Sequence, residues 1–219
     1  MAPVPDPRIP TFVGAATDGG DALARALGSE AILRPPAMPA VSGWDPIGHD
    51  ALAAWRFALD ERPPDDAVVV CTWTDLPPAA ALADIAPDTW RAQVEWPSAL
   101  WFTTLVAAAE RCRDGGSVVA VVERPVTLDA PGRAPLVAVA DGLLNLVRSL
   151  AAIEGARGVR VNAVTTEVHT VPDPLLGAVP PLATFPGRVD VEVAGAVRLL
   201  LSDDAAGVTG TAFAADCGR

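Results

Sequence analysis

One stretch of the chain, from Ala134 to Val164, restricts the possible folds more than any other. Its apolar residues recur with i, i+3, i+4, i+7 spacing from Leu136 to Ala151, which predicts a helix with a broad apolar face. We expect this helix to end at one of the two glycines that follow. The apolar segment from Val159 to Val164 is then typical of a strand buried on both faces. A helix that leads into such a strand indicates an α/β protein with a parallel sheet.

The remainder of the chain repeats this alternation. Short apolar strands are predicted directly after Pro10, at Ala31–Arg34, Ala67–Trp73 and Gly116–Val122. Helices are predicted after the glycine-containing turn that ends at Gly20, and at His49–Leu59, Ser98–Arg113 and Asp190–Leu201. We therefore predict one doubly wound α/β domain over residues 1–219. Its irregular parts are a flexible proline-rich start at 1–9, a shortened segment at 35–46 and a proline-rich lid loop at 168–187.

Composition excludes several classes of protein. The net charge of −11 and the absence of an arginine-rich run disfavour nucleic acid as a partner. Three cysteines lie far apart with no C-x-x-C pair, which indicates reduced, packed thiols and disfavours a metal site. No leader is recognisable at the start, and charged residues and prolines interrupt the apolar runs, so we expect a cytoplasmic protein with no span of about 20 uncharged residues. All 16 basic residues are arginine and tyrosine is absent, so no mechanism can use a lysine ammonium or a phenol of this chain.

The segment Gly158-Val159-Arg160-Val161-Asn162-Ala163-Val164 resembles the G-[IV]-R-V-N-x-[IV] strand of the short-chain dehydrogenase/reductase family. The ending agrees as well, because Val208-Thr209-Gly210 and Asp216 match the family's [IV]-T-G and final D-G-G. The resemblance implies a Rossmann-like fold. In the family a Y-x-x-x-K motif precedes the strand, and the alignment places Leu136 at the tyrosine and Ala140 at the lysine. Both catalytic residues of the family are therefore replaced.

The resemblance extends to the turn that binds the cofactor in the family. Gly14 and Gly20 match the first and last glycines of T-G-x-x-x-G-x-G, whereas Asp18 replaces the middle one. A carboxylate there would face the cofactor phosphates, and together with Asp21 it competes with an anion for the positive helix terminus. Arg34 lies roughly where relatives that prefer NADP carry a phosphate-binding arginine. We expect no cofactor, with Gly14 and Gly20 at most a vestige of an NAD(P) site.

The other family positions are also replaced. Pro97 stands at the asparagine of the proton relay and predicts a helix break or a restart at Ser98. Cys71-Thr72-Trp73-Thr74 replaces the N-N-A-G floor of the cofactor site, and the tryptophan is large enough to fill space that an adenine or ribose would use. Glu123 stands at the substrate-orienting serine, and Thr166-Glu167 replaces the family's P-G. A carboxylic acid in an apolar cleft can act as a general acid or base, although Glu123 can equally form an ion pair with Arg124 or another arginine.

Scaffold positions are thus retained and catalytic positions are replaced, which leads to the hypothesis of a catalytically inactive subunit. In the family the helices that match residues 98–113 and 136–154 form a four-helix dimer interface. We expect this chain to pair through them with an active paralogue that carries the Tyr/Lys pair, as a heterodimer or heterotetramer, or with itself. Such pairing could stabilise or modulate a ketoreductase or dehydrogenase complex.

Two alternatives remain open. The first is a cofactor-independent cyclase, dehydratase or isomerase that uses the old substrate cleft, with Glu123, Asp141 or His169 as acid/base. It requires an open polar pocket, which Trp73 and Leu136 could fill. The second is a module that senses a nucleotide through Gly14 and Gly20. The sequence favours neither over the subunit hypothesis.

Overall fold

The computed structural model describes residues 8–40, 45, 47–73, 78–125, 131–168, 182–184 and 186–218. Its six strands are β1 (Thr11–Gly14), β2 (Ile32–Leu33), β3 (Ala67–Cys71), β4 (Ser117–Glu123), β5 (Arg160–Thr166) and β6 (Ala212–Ala214). Its helices are α1 (Asp18–Ala26), α2 (His49–Asp60), α3 (Pro87–Trp90), α4 (Trp96–Arg111), α5 (Ala134–Glu154) and α6 (Ala194–Leu201). Strands and helices alternate along the chain, as the apolar pattern predicts.

The strands form one parallel sheet in the order β2-β1-β3-β4-β5-β6. The chain runs from β1 outward to β2 and then crosses back to place β3 on the other side of β1. The order of the strands therefore reverses between β1 and β3, and ligands of doubly wound sheets bind outside the carboxyl ends of the strands at such a point. The predicted Rossmann-like α/β fold is confirmed. Between β2 and α2 the described residues belong to none of the six strands, and residues 41–44 and 46 of the expected shortened segment lie outside the described ranges.

Helices cover both faces of the sheet. On one face α4 and α5 pack against alternate residues of the central strands, with Trp101, Leu105, Leu143 and Val147 in the core. On the other face α1 and α6 do the same, with Leu23, Val197 and Leu200 against Phe12 and Val69. Successive side chains of a strand point to opposite faces of the sheet, so neighbouring valines are buried in the cores on opposite faces. Helices thus cover both faces of the sheet, so a functional site is expected at the edge formed by the carboxyl ends of the strands.

The helix around Pro97 differs from the expected break. A π-helical turn at Arg91–Glu95 joins α3 to α4, and Trp96 keeps helical dihedral angles, φ −62° and ψ −51°. Pro97 follows this widened turn directly, and the shift in hydrogen-bond register accommodates a residue that has no N–H to donate. The prediction of a break was wrong because one widened turn accommodates the proline.

The helix α5 also corrects an expectation. Residues Ala134–Arg157 form a helical segment of mean hydropathy 1.7, long and apolar enough by length and composition to cross a membrane. The composition argument against any such span was therefore too strict. In this fold the apolar residues of α5 have another explanation, because Val139, Leu143, Val147 and Leu150 are buried against the sheet.

Candidate functional site

The crevice at the carboxyl end of the sheet is bounded on one side by the turn after β1. Gly14 ends β1, and a Cβ atom there would lie 2.5 Å from Phe12 Cε1 and 2.6 Å from the carbonyl oxygen of Cys71. The turn enters α1 at Asp18, where the Thr17 hydroxyl caps the helix by accepting from the Gly20 amide at 3.1 Å. Gly14 and Gly20 therefore form the strand, turn and helix arrangement that the sequence predicts.

Charges at this turn are balanced locally. Asp18 and Asp21 occupy the first turn of α1, as expected. Arg34, just after β2, donates to the carbonyl oxygens of Gly14 at 3.1 Å and Ala15 at 2.8 Å, and it forms an ion pair with Asp21 at 2.5 Å. The guanidinium thus lies at the glycine turn, on the β2 side of the crevice, and more than a third of its side chain is exposed. It is placed to pair with a phosphate that approaches the turn.

The opposite side of the crevice is formed by the residues that follow β3. Trp73 is buried, and its indole Nε1 donates to the carbonyl oxygen of Val121 in β4 at 2.9 Å. Thr72 is also buried, and its Oγ1 has no hydrogen-bond partner among the described residues. Below them the thiol of Cys71 is buried; burial raises its pKa well above the usual value, and the nearby Glu123 adds to the rise.

Two carboxylic acids lie at the ends of neighbouring strands. Glu123 is the last residue of β4 and is level with Thr166 of β5, and Glu167 follows directly. Only 6% of Glu123 and 2% of Glu167 is exposed. Arg124, the neighbour expected to pair with Glu123, pairs with Asp141 instead, with Nε and Oδ1 2.9 Å apart. The sequence identified Glu123 but gave Glu167 no role, although a carboxylate directly after a buried strand is a signal that was available.

The positions aligned with the family's tyrosine and lysine lie at the start of α5. Leu136 is half-buried in its first turn, and Ala140, one turn later, is buried in the core formed with the sheet. Pro97 lies on α4, and α5 packs against both α4 and the π-helical turn before it. The fold therefore brings the aligned residues to the same end of the sheet, but none of these three side chains carries an ionisable group.

Asp141, one of the candidate acid/base residues, is used in an ion pair, and another, His169, lies outside the described residues. Asp141 is exposed on α5 in its ion pair with Arg124, and His49 is exposed at the start of α2. His169, Thr74 and most of the expected lid at 168–187 lie outside the described residues. In the described ranges, no group of three or more His, Cys, Asp or Glu side chains has the arrangement of a metal site.

Comparison with known proteins now identifies the family. Residues 66–219 match the model of the family described as enoyl-(acyl carrier protein) reductase. The chain belongs to this family of short-chain dehydrogenases/reductases. One curated relative, 2-(S)-hydroxypropyl-CoM dehydrogenase 3 of Xanthobacter autotrophicus (strain ATCC BAA-1158 / Py2), is 42% identical over 101 residues. That alignment covers 40% of this chain and 40% of the relative, well under two thirds of its length.

Solved structures share the fold at low identity. A double variant of a short-chain dehydrogenase/reductase from Serratia marcescens superposes with a TM-score of 0.67 at 22% identity, covering 93% of each chain. A blue fluorescent protein from a metagenomic library, in complex with NADPH, gives 0.65 at 21% identity and covers 96% of this chain and 98% of its own. The angucycline C-6 ketoreductase LanV with bound NADP gives 0.65 at 18% identity, covering 96% of each chain.

These structures correct the expectation that no cofactor belongs to such a chain. Two proteins of the same short-chain dehydrogenase/reductase fold hold NADPH or NADP, so a fold of this kind points to NAD(P) and not to an absent cofactor. The expectation rested on replaced side chains, of which Leu136 and Ala140 lie on α5. The turn after β1, whose backbone leads into the first turn of α1, does not include those two positions.

The described residues fit a dinucleotide at part of this crevice. The glycine turn leaves backbone close to the helix terminus of α1, Arg34 provides a guanidinium beside it, and Thr72 provides a buried hydroxyl with no partner in the described ranges. The fit is poorer beyond β3, where the indole of Trp73 fills the space next to β4.

Proposed function

We propose that this chain is a short-chain dehydrogenase/reductase-type subunit that has no proton transfer of the family's tyrosine-dependent kind. It pairs through α4 and α5 with a relative that carries the Tyr/Lys pair, or with a second copy of itself. One observation supports this most directly: the whole chain contains no tyrosine and no lysine. Leu136 and Ala140 occupy the places where the family carries them.

Leu136 and Ala140 cannot transfer the proton that the family's reaction requires. A hydroxyl group must gain or lose a proton when a carbonyl and an alcohol are interconverted, and a positioned acid or base speeds that step. Leu136 has no exchangeable proton, and Ala140 has neither a charge nor reach, since it is buried in the core. The catalytic contribution of this chain to such a reaction is therefore made through a partner, by stabilising it or by shaping its pocket.

The NADPH and NADP of the two structural neighbours lead us to propose a nicotinamide dinucleotide for this chain as well. The backbone of the turn from Gly14 to Gly20 would hold its phosphates, Arg34 a phosphate on the β2 side, and Thr72 a polar group at the floor. The cofactor, when bound, supplies a hydride. Arg34 would have to exchange part of its bonding to Asp21 for a phosphate, which a guanidinium can do in bidentate fashion.

The pairing surface is the outward side of α4 and α5, which pack side by side. Phe102 on α4 is 56% exposed and Ile153 on α5 is 67% exposed. Between them α5 presents mostly small or uncharged side chains to solvent, including Ala138, Gly142, Asn145 and Ser149. Other apolar residues of the two helices, such as Trp101 and Leu143, are buried within the chain. The apolar residues that remain suit helix packing with another subunit.

The mass of the assembly in solution tests whether the chain pairs with another subunit. We expect light scattering and native mass spectrometry of the complex purified from its own host to show an assembly, and expect Phe102→Asp and Ile153→Arg to dissociate it. Phe57→Asp is the matched control, because Phe57 is also an exposed phenylalanine, 66% exposed, but lies on α2. A wild-type chain that is a monomer and carries no partner would contradict the pairing. Oxidation of an alcohol with NADP, or reduction of a ketone with NADPH, by the purified chain alone would contradict its non-catalytic role.

A second candidate function is favoured by the burial of Glu123 and Glu167 at the carboxyl end of the sheet. A carboxylic acid in that place can transfer a proton, as a cyclase, dehydratase or isomerase requires. Loss of turnover in Glu123→Gln, with turnover retained in Asp141→Asn, would support this candidate. Asp141 is a suitable control because it is exposed and paired with Arg124.

A further inference from the structure

The strand β3 is shorter than its neighbour β4, and Trp73 packs beside β4 just beyond the end of β3. Val70 is level with Ala120, so β3 ends at Cys71 while β4 continues to Glu123. Val121 is therefore level with Cys71, the last residue of β3, and its carbonyl oxygen accepts from the indole Nε1 of Trp73, two residues beyond the strand end, at 2.9 Å. The side chain thus donates to the sheet at the level where β3 ends and β4 continues.

The indole is also firmly packed. It lies in the core on the α1 and α6 side of the sheet, together with Phe12, Cys71 and Val121, and only 6% of the residue is exposed. A buried aromatic ring with a satisfied N–H gains both burial and a hydrogen bond in this place. Next to it Thr72 is buried without a partner for its Oγ1 in the described part of the chain. The ring is therefore held in place by both packing and a hydrogen bond.

The position of the ring relative to a dinucleotide follows from the topology. A pyrophosphate binds at the helix terminus after β1, at the point where the strand order reverses, so the two nucleoside halves extend to opposite sides of β1. Arg34 marks the β2 side. Trp73 marks the other side, above β3 and against β4. The half of a bound dinucleotide on the β2 side would contact the Arg34 guanidinium, and the other half would contact the Trp73 indole.

We propose that Trp73 is a plug that sets the affinity of this crevice for the nicotinamide half of a dinucleotide and leaves the adenosine half unaffected. The inference rests on the dinucleotide site of the proposed function. Binding of the whole dinucleotide requires the indole to leave Val121, and the apparent dissociation constant is raised by the small fraction of molecules in which it has done so. A ligand that ends at the pyrophosphate needs no such opening.

Calorimetric titration of the full chain with two ligands tests this. NADPH extends over both halves, whereas 2′-phosphoadenosine 5′-diphosphate ends at the pyrophosphate and lacks the nicotinamide ring and its ribose. We expect Trp73→Ala to tighten NADPH binding by about tenfold or more, which corresponds to an open fraction of about a tenth or less in the wild type. Binding of 2′-phosphoadenosine 5′-diphosphate should stay within about twofold, since its affinity does not depend on the opening. Trp73→Phe keeps most of the ring volume without the N–H, and its affinity for NADPH should lie between those of the wild type and Trp73→Ala.

Trp55→Ala is the matched control. Trp55 also donates from Nε1, to Thr104 Oγ1 at 3.0 Å, but this contact joins α2 to α4 away from the crevice. It should change neither affinity. The plug is refuted if Trp73→Ala and wild type bind NADPH equally, or if both ligands tighten together. If neither ligand binds to any of the four proteins, the dinucleotide site itself fails, and the plug fails with it.

Discussion

The guanidinium of Arg160 on β5 donates to the carbonyl oxygen of Leu200 at the end of α6, 2.6 Å away. It also donates to the carbonyl oxygens of Leu201, Ser202 and Ala205. Arg160 is buried, and its pKa is lowered by burial and then by the nearby charge of Arg8. A buried cation here satisfies the free carbonyl groups at a helix end, which otherwise lack partners.

Replacement of this arginine should therefore be costly. We expect Arg160→Met to lower the free energy of unfolding by about 3 kcal/mol, because several buried carbonyl groups lose their donor at once. Arg198→Met is the control, since exposed Arg198 makes one such bond, to Ala26 at 2.7 Å, and should cost under about 1 kcal/mol. Urea unfolding followed by circular dichroism measures both. Equal losses would show that Arg160 has no special role in closing α6.

Gly14 should tolerate no side chain, whatever the ligand. A Cβ atom there would lie within 2.6 Å of Phe12 and Cys71 atoms, so Gly14→Ala should cost about 2 kcal/mol or more through overpacking. Gly195 in α6 has nothing within 4 Å of its Cβ position, and Gly195→Ala should stabilise by up to about 1 kcal/mol. Thermal unfolding of the two variants checks the signs. A neutral Gly14→Ala would mean that β1 and β3 can separate at this point.

Alkaline pH should weaken the fold through its thiols. Burial raises the pKa of Cys112 to about 11, and the chain has no lysine or tyrosine that would titrate in the same range. The folded-state pKa lies above the unfolded value of about 8.5, so the stabilisation is complete below that pH and is lost as the pH rises through about 11. Stability should fall by up to about 1.4 kcal/mol per pH unit for each such thiol.

Urea unfolding at a series of pH values from neutral to alkaline measures this slope. Cys112→Ala should make it shallower, and the remaining slope should belong largely to Cys71, whose pKa is also raised by burial. Identical slopes in the variant and the wild type would show that Cys112 ionises as readily in the folded chain as in the unfolded one.

Asp45 should support α2 from outside the helix. The preceding cap residue, Gly48, has no side chain, and the Asp45 carboxylate accepts from the amides of His49 at 2.7 Å and Asp50 at 3.2 Å. The His49 amide is the main cause of its lowered pKa. The stabilisation is therefore present above the ordinary carboxyl pKa of about 3.9 and is lost as the pH falls below it.

We expect Asp45→Ala to lower the midpoint of thermal unfolding by a few degrees at neutral pH and by less in acid. The control is Asp66→Ala, which removes only the exposed ion pair with Arg113. Its effect should be near zero at either pH because exposed ion pairs contribute little. An Asp45→Ala effect that is as large in acid as at neutral pH would exclude the carboxylate as its source.

The sequence predicted the parallel sheet and the order of helices and strands because buried strands such as Val68–Val70 are apolar without interruption. It also placed Glu123 and the glycine turn at one edge of the sheet, since strand ends define that edge. It missed what depends on three-dimensional fit. The π-helical turn before Pro97, the bond from Trp73 to Val121 and the pairing of Arg124 with Asp141 join residues whose relative positions no periodicity encodes. The cofactor expectation failed because it was drawn from replaced side chains alone, whereas the turn from Gly14 to Gly20 keeps its strand, turn and helix backbone.

The outer strand β2 consists of Ile32 and Leu33 only, and two prolines, Pro35 and Pro36, follow almost at once. Proline offers no N–H to a neighbouring strand, and a two-residue edge gives an incoming chain little to pair with. An edge of this kind, short and followed by prolines, offers an incoming strand few backbone groups to pair with, so edge-to-edge association through β2 is disfavoured.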